Sequence, residues 1–232
     1  MRNILVFLGG IAVVLVAAVG LYQWLGKPTA PAPAPQQQAA TAPASPAAPA
    51  TAQDAASVRP GDFAIGRADA PVTVIEYASL TCPHCRNFHE NGLPQLKSQY
   101  VDSGKVRMVY RDFPLDGLAL RASMLARCAG RDRFFAFLDI LFKRQAQWAG
   151  SNDPLGALAR VAALGGLGPD EFKACLANKE IETQVLQQRQ EAEQVFGVNS
   201  TPSFIVNGRK VRGADFNAVK AAIDPLLGKP GN

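Results

Sequence analysis

The stretch Val72-Thr-Val-Ile-Glu-Tyr-Ala-Ser-Leu-Thr-Cys-Pro-His-Cys85 decides the fold of this 232-residue chain. Its first six residues are mostly apolar and β-branched, with Glu76 as the one acid, which predicts a short buried strand. A helical pattern then begins at Cys82 and runs to about Tyr100. We expect an interruption near Pro94, whose nitrogen cannot donate a backbone hydrogen bond. A Cys-x-x-Cys motif therefore lies between a strand and a helix.

This placement predicts redox chemistry for the two cysteines. Cys82 lies at the helix N-terminus, where the helix dipole and unpaired N–H groups favour a thiolate, so it should be the nucleophile with a pKa of roughly 3.5 to 7.5. Cys85, one turn further on, should be the buried resolving thiol. Pro83 suits the first helical turn, and His84 can donate a hydrogen bond or carry a positive charge beside the thiolate. A lowered pKa stabilises the dithiol form and favours a disulfide donor, whereas the alternative is a purely structural disulfide.

The patterns around the motif predict an α/β fold. A second strand over Val106 to Phe113 follows the first helix, and a crossover helix between two strands implies that they are parallel. Helical periodicity then covers about residues 116–178. The later elements are a long helix to Phe196, a hairpin of Ser203–Val206 and Arg209–Val211, and a last helix to about Leu227. We expect a small mixed sheet with flanking helices and an inserted all-helical subdomain.

The first 57 residues differ in composition from the rest of the chain. Residues 4–25 are a 22-residue apolar run that would span about 33 Å as a helix, enough to cross a bilayer. We therefore expect residues 1–27 to be a membrane anchor, or else a signal peptide cleaved near Ala18-Val19-Gly20. Residues 28–57 contain 13 Ala and 7 Pro, which predicts a disordered linker before one domain over residues 58–232. Both N-terminal interpretations predict export.

The charge distribution gives no reason to expect nucleic-acid binding. Residues 58–232 carry 22 basic and 18 acidic side chains, a net charge of +4. The densest basic group, Arg127, Arg131 and Arg133, has no stacking aromatic residues arranged around a groove. A solvated basic face is the expected role of this group.

Cys128 and Cys175 lie in predicted helices of the insert, 47 positions apart. In an exported domain an even number of cysteines favours disulfides over metal sites, so we expect these two to form a structural disulfide. The alternative is a pair of buried small apolar side chains. Closing a loop of this length would stabilise the fold by up to about 4 kcal/mol.

Two motifs together resemble the DsbA family of thioredoxin-fold thiol oxidoreductases: the stretch ending at Cys85 and Ser200-Thr-Pro-Ser-Phe-Ile-Val-Asn-Gly208. The resemblance extends from Phe63 to about Leu227 in the order of the elements. It implies a thioredoxin fold and a strongly oxidising cysteine pair. It also implies that Pro202 is a cis-proline facing the disulfide. Such a loop would leave the Thr201 backbone free to pair with an extended substrate segment.

Two further site residues follow from the resemblance. Glu76 matches the family's buried acid, which could relay the proton of Cys85 during exchange. The alternative is a carboxylate at a solvated strand edge. The family has a second acid in the first helix, where this sequence has His89. We expect His89 to be a surface residue, with an added electrostatic influence on the site as the alternative.

The expected function is an exported thiol–disulfide oxidoreductase that donates the Cys82–Cys85 disulfide to folding proteins in the bacterial periplasm. The resemblance implies reoxidation by a DsbB-like quinone-linked membrane protein, and we expect an anchored monomer without a cofactor. A disulfide isomerase or reductase is the first alternative, because Thr201 precedes Pro202 as in DsbC-like isomerases. A metal-binding module of Cys82, Cys85 and His89 is the second, although a fourth ligand is missing nearby.

Overall fold

The computed structural model describes residues 52–228, which contain a five-stranded sheet with helices on both faces. The strand order is β1-β3-β2-β4-β5; β2 and β3 are parallel, and the other neighbours are antiparallel. The strands are β1 (Phe63–Ile65), β2 (Val72–Ala78), β3 (Val106–Asp112), β4 (Ser203–Val206) and β5 (Arg209–Lys210). The helices are α1 (Ala52–Ala56), α2 (residues 83–101), α3 (Gly117–Cys128), α4 (Phe134–Lys143), α5 (Gln145–Ala149), α6 (Pro154–Leu164), α7 (Pro169–Ala177), α8 (Lys179–Phe196) and α9 (Phe216–Leu227).

Strand β2 is the centre of the sheet, and its alternate side chains serve two different layers. Val74 packs in a cluster with Phe88 of α2 and Phe216 of α9 on one face. Ile75 packs with Ala192 of α8 on the other face. The predicted mixed sheet with flanking helices is therefore confirmed, and β2 carries the Cys-x-x-Cys turn directly at its carboxyl end.

Helix α2 is one helical run in which two π-helical turns, Phe88–Gly92 and Lys97–Val101, alternate with α-helical turns. The N–H of Leu93 bonds to the carbonyl of Phe88, five residues back. Pro94 follows immediately and has no N–H to continue the α-helical ladder. The irregularity expected near Pro94 is thus a change of hydrogen-bond register, which begins before the proline rather than at it.

The helices α3 to α7 form the insert, and they pack around a cluster of buried aromatic and aliphatic side chains that includes Phe142 and Trp148. Ring stacking of Phe134 on Phe63, with centroids 3.6 Å apart, joins this cluster to the sheet. Cys128 and Cys175 are bonded to each other, with an S–S distance of 2.15 Å and their Cα atoms 6.1 Å apart. The disulfide connects the end of α3 to α7.

The fold begins earlier than the predicted boundary between linker and domain at residue 58. Ala52–Ala56 form the short helix α1, and Ala55 is buried. The buried guanidinium of Arg111 donates to the carbonyls of Ala55 and Ser57, the latter at 2.8 Å, and to Asp62. This segment is held by its backbone carbonyls, so its Ala-rich side-chain pattern gave no signal.

The predictions for the N-terminal part of the chain fall largely outside the described residues. The expected anchor or signal peptide over residues 1–27 lies there, as does the linker as far as residue 51. Among residues 52–228, no helix is both long enough and apolar enough to cross a membrane.

Candidate active site

The Cys-x-x-Cys turn presents its first cysteine as the N-cap of α2. Cys82 has extended backbone angles, φ −80° and ψ 121°, and its Sγ accepts a hydrogen bond from the N–H of Cys85 at 3.4 Å. Pro83 occupies the first helical turn, where a backbone N–H would have no partner within the helix. The first free N–H groups of the helix therefore lie beside Sγ of Cys82.

These surroundings stabilise the thiolate of Cys82. A hydrogen bond from the Cys85 thiol is the largest effect that lowers the pKa of Cys82, which falls to about 5 from 9.0. Thr201 and the N–H groups of Cys85 and His84 lower this pKa further, against the opposing effect of burial. The His84 imidazole is exposed and makes no hydrogen bond within the described residues, so His84 acts on the thiolate through its backbone N–H.

Cys85 has the opposite environment. It is fully buried, and burial is the largest cause that raises its pKa well above 9.0. Its hydrogen bond to Cys82 and the negative charge of Glu76 raise this pKa as well. One helical turn thus separates a thiol that ionises readily from one that holds its proton.

The loop before β4 closes the site from the side opposite α2. The Thr201–Pro202 peptide bond is cis, and Pro202 is buried. The carbonyl of Thr201 lies 3.3 Å from Sγ of Cys82. The Thr201 hydroxyl is buried without a hydrogen-bond partner among the described residues, so it is available to a thiolate at Cys82. The structure therefore brings together the two segments that carry the sequence motifs.

Glu76 and His89 lie beneath the cysteines as a buried pair. Glu76 is fully buried in the central strand, so the solvated strand edge considered for it is wrong. His89 is 7% exposed and its Nε2 lies 3.0 Å from Oε2 of Glu76, so its expected surface position is also wrong. The His89 ring stacks on Phe142 of the insert with centroids 4.2 Å apart. His89 follows buried Cys85 by four residues on the same helix face, a spacing that predicts its burial.

The sequence patterns did not identify two residues of the site. Tyr110 of β3 is buried beside His89, with ring centroids 5.8 Å apart, and its hydroxyl has no partner within the described residues. Gln145 of α5 is buried and donates to the backbone carbonyls of the Cys82 turn. Gln145 is one of two glutamines between Phe134 and Trp148, the other being Gln147, so the sequence alone did not single it out.

A metal site at the cysteines would need His89 as a third ligand. In the structure Nε2 of His89 bonds to Glu76 instead. Residues 52–228 contain no group of three or more His, Cys, Asp or Glu side chains that could hold a metal ion. The arrangement present is that of a nucleophilic thiol, a protonated resolving thiol and a buried acid.

Comparison with known proteins gives a consistent set of matches. A family model described as thioredoxin matches residues 58–225. The Rickettsia bellii protein named "Putative protein-disulfide oxidoreductase" is 36% identical over 167 residues, which are 72% of this chain and 64% of that protein. This chain therefore spans less than two thirds of that relative's length.

Two other matches cover more of the protein compared. A Bacillus cereus protein named "Probable disulfide bond formation protein D" is 32% identical over 176 residues, covering 71% of this chain and 78% of that protein. The crystal structure of alpha-DsbA1 from Wolbachia pipientis has 34% identity and a TM-score of 0.68. The match covers 74% of this chain and 93% of the Wolbachia chain.

Proposed function

Because the chain belongs to the DsbA-like thiol–disulfide oxidoreductases of the thioredoxin family, we propose that it donates its Cys82–Cys85 disulfide to reduced, folding proteins. One observation carries this proposal. The pKa of Cys82 is about 5, whereas the pKa of Cys85 lies well above 9.0. Cys82 is therefore the sulfur that is attacked and later released as a thiolate, and Cys85 is the sulfur that takes up a proton.

The exchange runs in two displacements. A substrate thiolate attacks Sγ of Cys82, the Cys82–Cys85 bond breaks, and its electron pair passes to Sγ of Cys85, which is protonated because its pKa is high. A second thiolate of the substrate then attacks the substrate sulfur of the mixed disulfide, and Cys82 leaves as a thiolate. Two substrate thiols are oxidised to a disulfide while the enzyme disulfide is reduced to the dithiol.

The low pKa of Cys82 gives this reaction its direction. At pH 7 the folded protein holds a thiolate that a thiol with a pKa of 9.0 would not form. About two pKa units are effective at this pH, which stabilise the dithiol form by about 3 kcal/mol. For a two-electron couple this adds about 60 mV of oxidising power. The raised pKa of Cys85 does not oppose this effect at pH 7, where a free thiol is also protonated.

Glu76 is the proposed proton carrier for Cys85. Its side chain lies in the buried layer beneath α2, its charge raises the pKa of Cys85, and its Oε1 has no hydrogen-bond partner among the described residues. His89 holds the other carboxylate oxygen. A carboxylate with one oxygen fixed and one free can accept or return the Cys85 proton as the disulfide opens or closes.

Substrate recognition is proposed to occur at the cis-proline loop. The Thr201 carbonyl lies against Sγ of Cys82, so an extended segment that paired with the Thr201 backbone would have its cysteine close to the nucleophile. Pairing through backbone groups reads the extended conformation rather than a particular side chain. This mode of binding suits unfolded chains of many sequences.

We propose that the protein acts outside the cytoplasm, at the periplasmic face of a bacterial inner membrane. The Cys128–Cys175 disulfide supports this location, because such bonds persist in oxidising compartments. The apolar run at residues 4–25 would anchor the chain, or direct its export as a cleaved signal. A DsbB-like quinone-linked membrane protein would reoxidise the dithiol of this monomeric protein.

An isomerase or reductase is the second candidate function, because Thr201 precedes the cis-proline as in DsbC-like isomerases. Those isomerases are dimers, so the oligomeric state separates the two functions. Sedimentation equilibrium of the full-length protein should give a monomer if it is the proposed oxidase. A stable dimer or trimer would favour the isomerase.

The direct test of the oxidase uses the full-length protein in its oxidised state and a reduced, unfolded disulfide-containing protein as substrate. We expect the substrate to gain disulfides in proportion to the enzyme disulfide consumed. Cys82→Ala and Cys85→Ala should both be inactive, because neither variant can hold the disulfide that is donated. Oxidation by Cys82→Ala at the wild-type rate would contradict the proposal.

A further inference from the structure

A side chain of the helical insert holds the backbone of the nucleophile. Gln145 is 4% exposed, and its Nε2 donates to the carbonyls of Leu80 at 2.8 Å and Cys82 at 3.0 Å. These carbonyls lie on either side of Thr81, and Gln145 is 63 residues from Cys82 in the sequence. One amide group therefore fixes both ends of the turn that delivers Cys82 to the start of α2.

The amide of Gln145 is carried by a rigid corner between α4 and α5. On one side of it, Phe142 stacks on His89 with centroids 4.2 Å apart. On the other side, Trp148 is fully buried and its indole N–H donates to the carbonyl of Leu141 at 2.9 Å. The corner is thus fixed against both α2 and the insert's own core. Packing therefore holds the Gln145 amide at hydrogen-bonding distance from the Leu80–Cys82 turn.

The orientation of the Cys82 carbonyl determines which backbone N–H groups face Sγ of Cys82. The N-cap geometry requires ψ near its observed 121°, because the helical N–H groups then converge on the side chain of residue 82. The Cys82 carbonyl accepts from the Arg86 N–H at 3.1 Å and from Gln145 at 3.0 Å. With two donors the carbonyl has one preferred direction, whereas the Arg86 bond alone would permit the exposed first turn to fray.

We propose that Gln145 is a positioning residue for the nucleophile: it holds the Leu80–Cys82 turn so that the first N–H groups of α2 face Sγ of Cys82. The helical insert thereby takes part in the redox chemistry of the sheet domain. This inference rests on the proposed function, since it concerns the same pair of thiols. Gln145 itself touches no reacting atom and acts through the backbone of Cys82.

The test compares two glutamines of the same short helix. Gln145→Met keeps the length of the side chain and removes its donor. Gln147→Met is the matched control, because Gln147 is exposed and its side chain bonds only to Arg144 among the described residues. The pKa of Cys82 is read from the ultraviolet absorbance of its thiolate, and the equilibrium constant for reduction by glutathione is measured beside it.

In Gln145→Met we expect the pKa of Cys82 to rise by about one unit and the equilibrium constant for reduction to fall about fivefold to tenfold. Gln147→Met should keep the wild-type pKa of Cys82 to within about 0.3 unit and the wild-type equilibrium constant to within about twofold. Both readouts are made on folded full-length protein without any substrate. Failure of the wild-type protein to oxidise proteins would overturn the proposed function, and it would leave the comparison between Gln145 and Gln147 intact.

Two results would overturn the inference. One is a folded Gln145→Met whose Cys82 pKa stays within about 0.3 unit, and whose equilibrium constant stays within about twofold, of the values for Gln147→Met. Should Gln145→Met fail to fold, Gln145→Asn decides, because its shorter amide no longer reaches the turn. If neither variant folds, the side chain is needed for stability and the positioning role is rejected.

Discussion

Cys82 and Cys85 are three residues apart and both buried, yet they carry opposite perturbations. The N–H groups at the start of α2, the Cys85 thiol and Thr201 converge on Cys82, which lowers its pKa to about 5. Cys85 points into the core toward Glu76, where burial raises its pKa. At the residue scale, the two thiols differ in pKa because Cys82 caps the helix, whereas Cys85 lies in its first buried turn.

The low pKa of Cys82 predicts a pH dependence of stability in the reduced protein. Cys82 is 5% exposed, so solvent screens its interactions little. From about pH 5 to about pH 8 the unfolded chain binds a proton at Cys82 that the folded chain has released. The unfolding free energy should therefore rise by about 1.4 kcal/mol per pH unit in this window, and this contribution disappears as the pH falls through 5.

Urea unfolding of the reduced protein at several pH values measures this slope, and Cys82→Ala is the control. The variant keeps every other titrating group and lacks the thiolate. Its unfolding free energy should therefore rise less steeply with pH than that of the wild-type protein, by about 1.4 kcal/mol per pH unit. Equal slopes in the two proteins would show that the folded structure does not stabilise the Cys82 thiolate.

The sequence identifies the two cysteines by their motif, and the resemblance to the DsbA family identifies Glu76 and the cis-proline loop. The sequence misplaces His89, although the spacing of four residues places His89 on the same helix face as Cys85. Whether that helix face is buried depends on Phe142 of the insert, which no local pattern connects to α2. Local sequence patterns therefore misplace, or do not identify, side chains whose burial depends on a distant element.

At the scale of elements, the strands and long helices follow from their periodicity, and the short elements do not. Strands β2 and β3 begin where the sequence predicts, and each ends within one residue of its predicted end. Strand β1 has three residues, too few to show alternation, and it is defined by pairing with β3. Helix α1 contains the buried Ala55, whose carbonyl accepts a hydrogen bond from the guanidinium of Arg111. Elements stabilised by pairing or by backbone contacts are therefore missed.

The disulfide between α3 and α7 provides a prediction at this scale. Its cysteines are 47 residues apart, so the bond removes a large loop-closure entropy from the unfolded chain. The double variant Cys128→Ala/Cys175→Ala should lose up to about 4 kcal/mol of unfolding free energy, measured by urea denaturation of oxidised protein. It should still oxidise a reduced substrate, because neither sulfur takes part in exchange. A folded variant without any activity would contradict this division of roles.

At the scale of the whole molecule, the site is assembled from three segments that are distant in the sequence: β2 with the start of α2, the helix α5, and the loop before β4. Strand β2 supplies Glu76, α2 supplies the cysteines, α5 supplies Gln145, and the loop before β4 supplies Thr201. The Cys82 and Thr201 contact joins residues 119 positions apart. A motif can name the chemistry of such a site, but the neighbours that tune its thiols are determined by how sheet and insert pack together.

The redox equilibrium of the Cys82–Cys85 pair against glutathione tests the central claim most directly. It is measured at pH 7 on the full-length protein, with the state of these two cysteines read from their alkylated peptides so that Cys128 and Cys175 do not contribute. A nucleophile with a pKa near 5 predicts a potential at least about 50 mV above the roughly −270 mV of thioredoxin, whose thiol has a pKa near 7. A potential at or below about −270 mV would show that the folded site does not favour the dithiol, and the disulfide-donor account would be wrong.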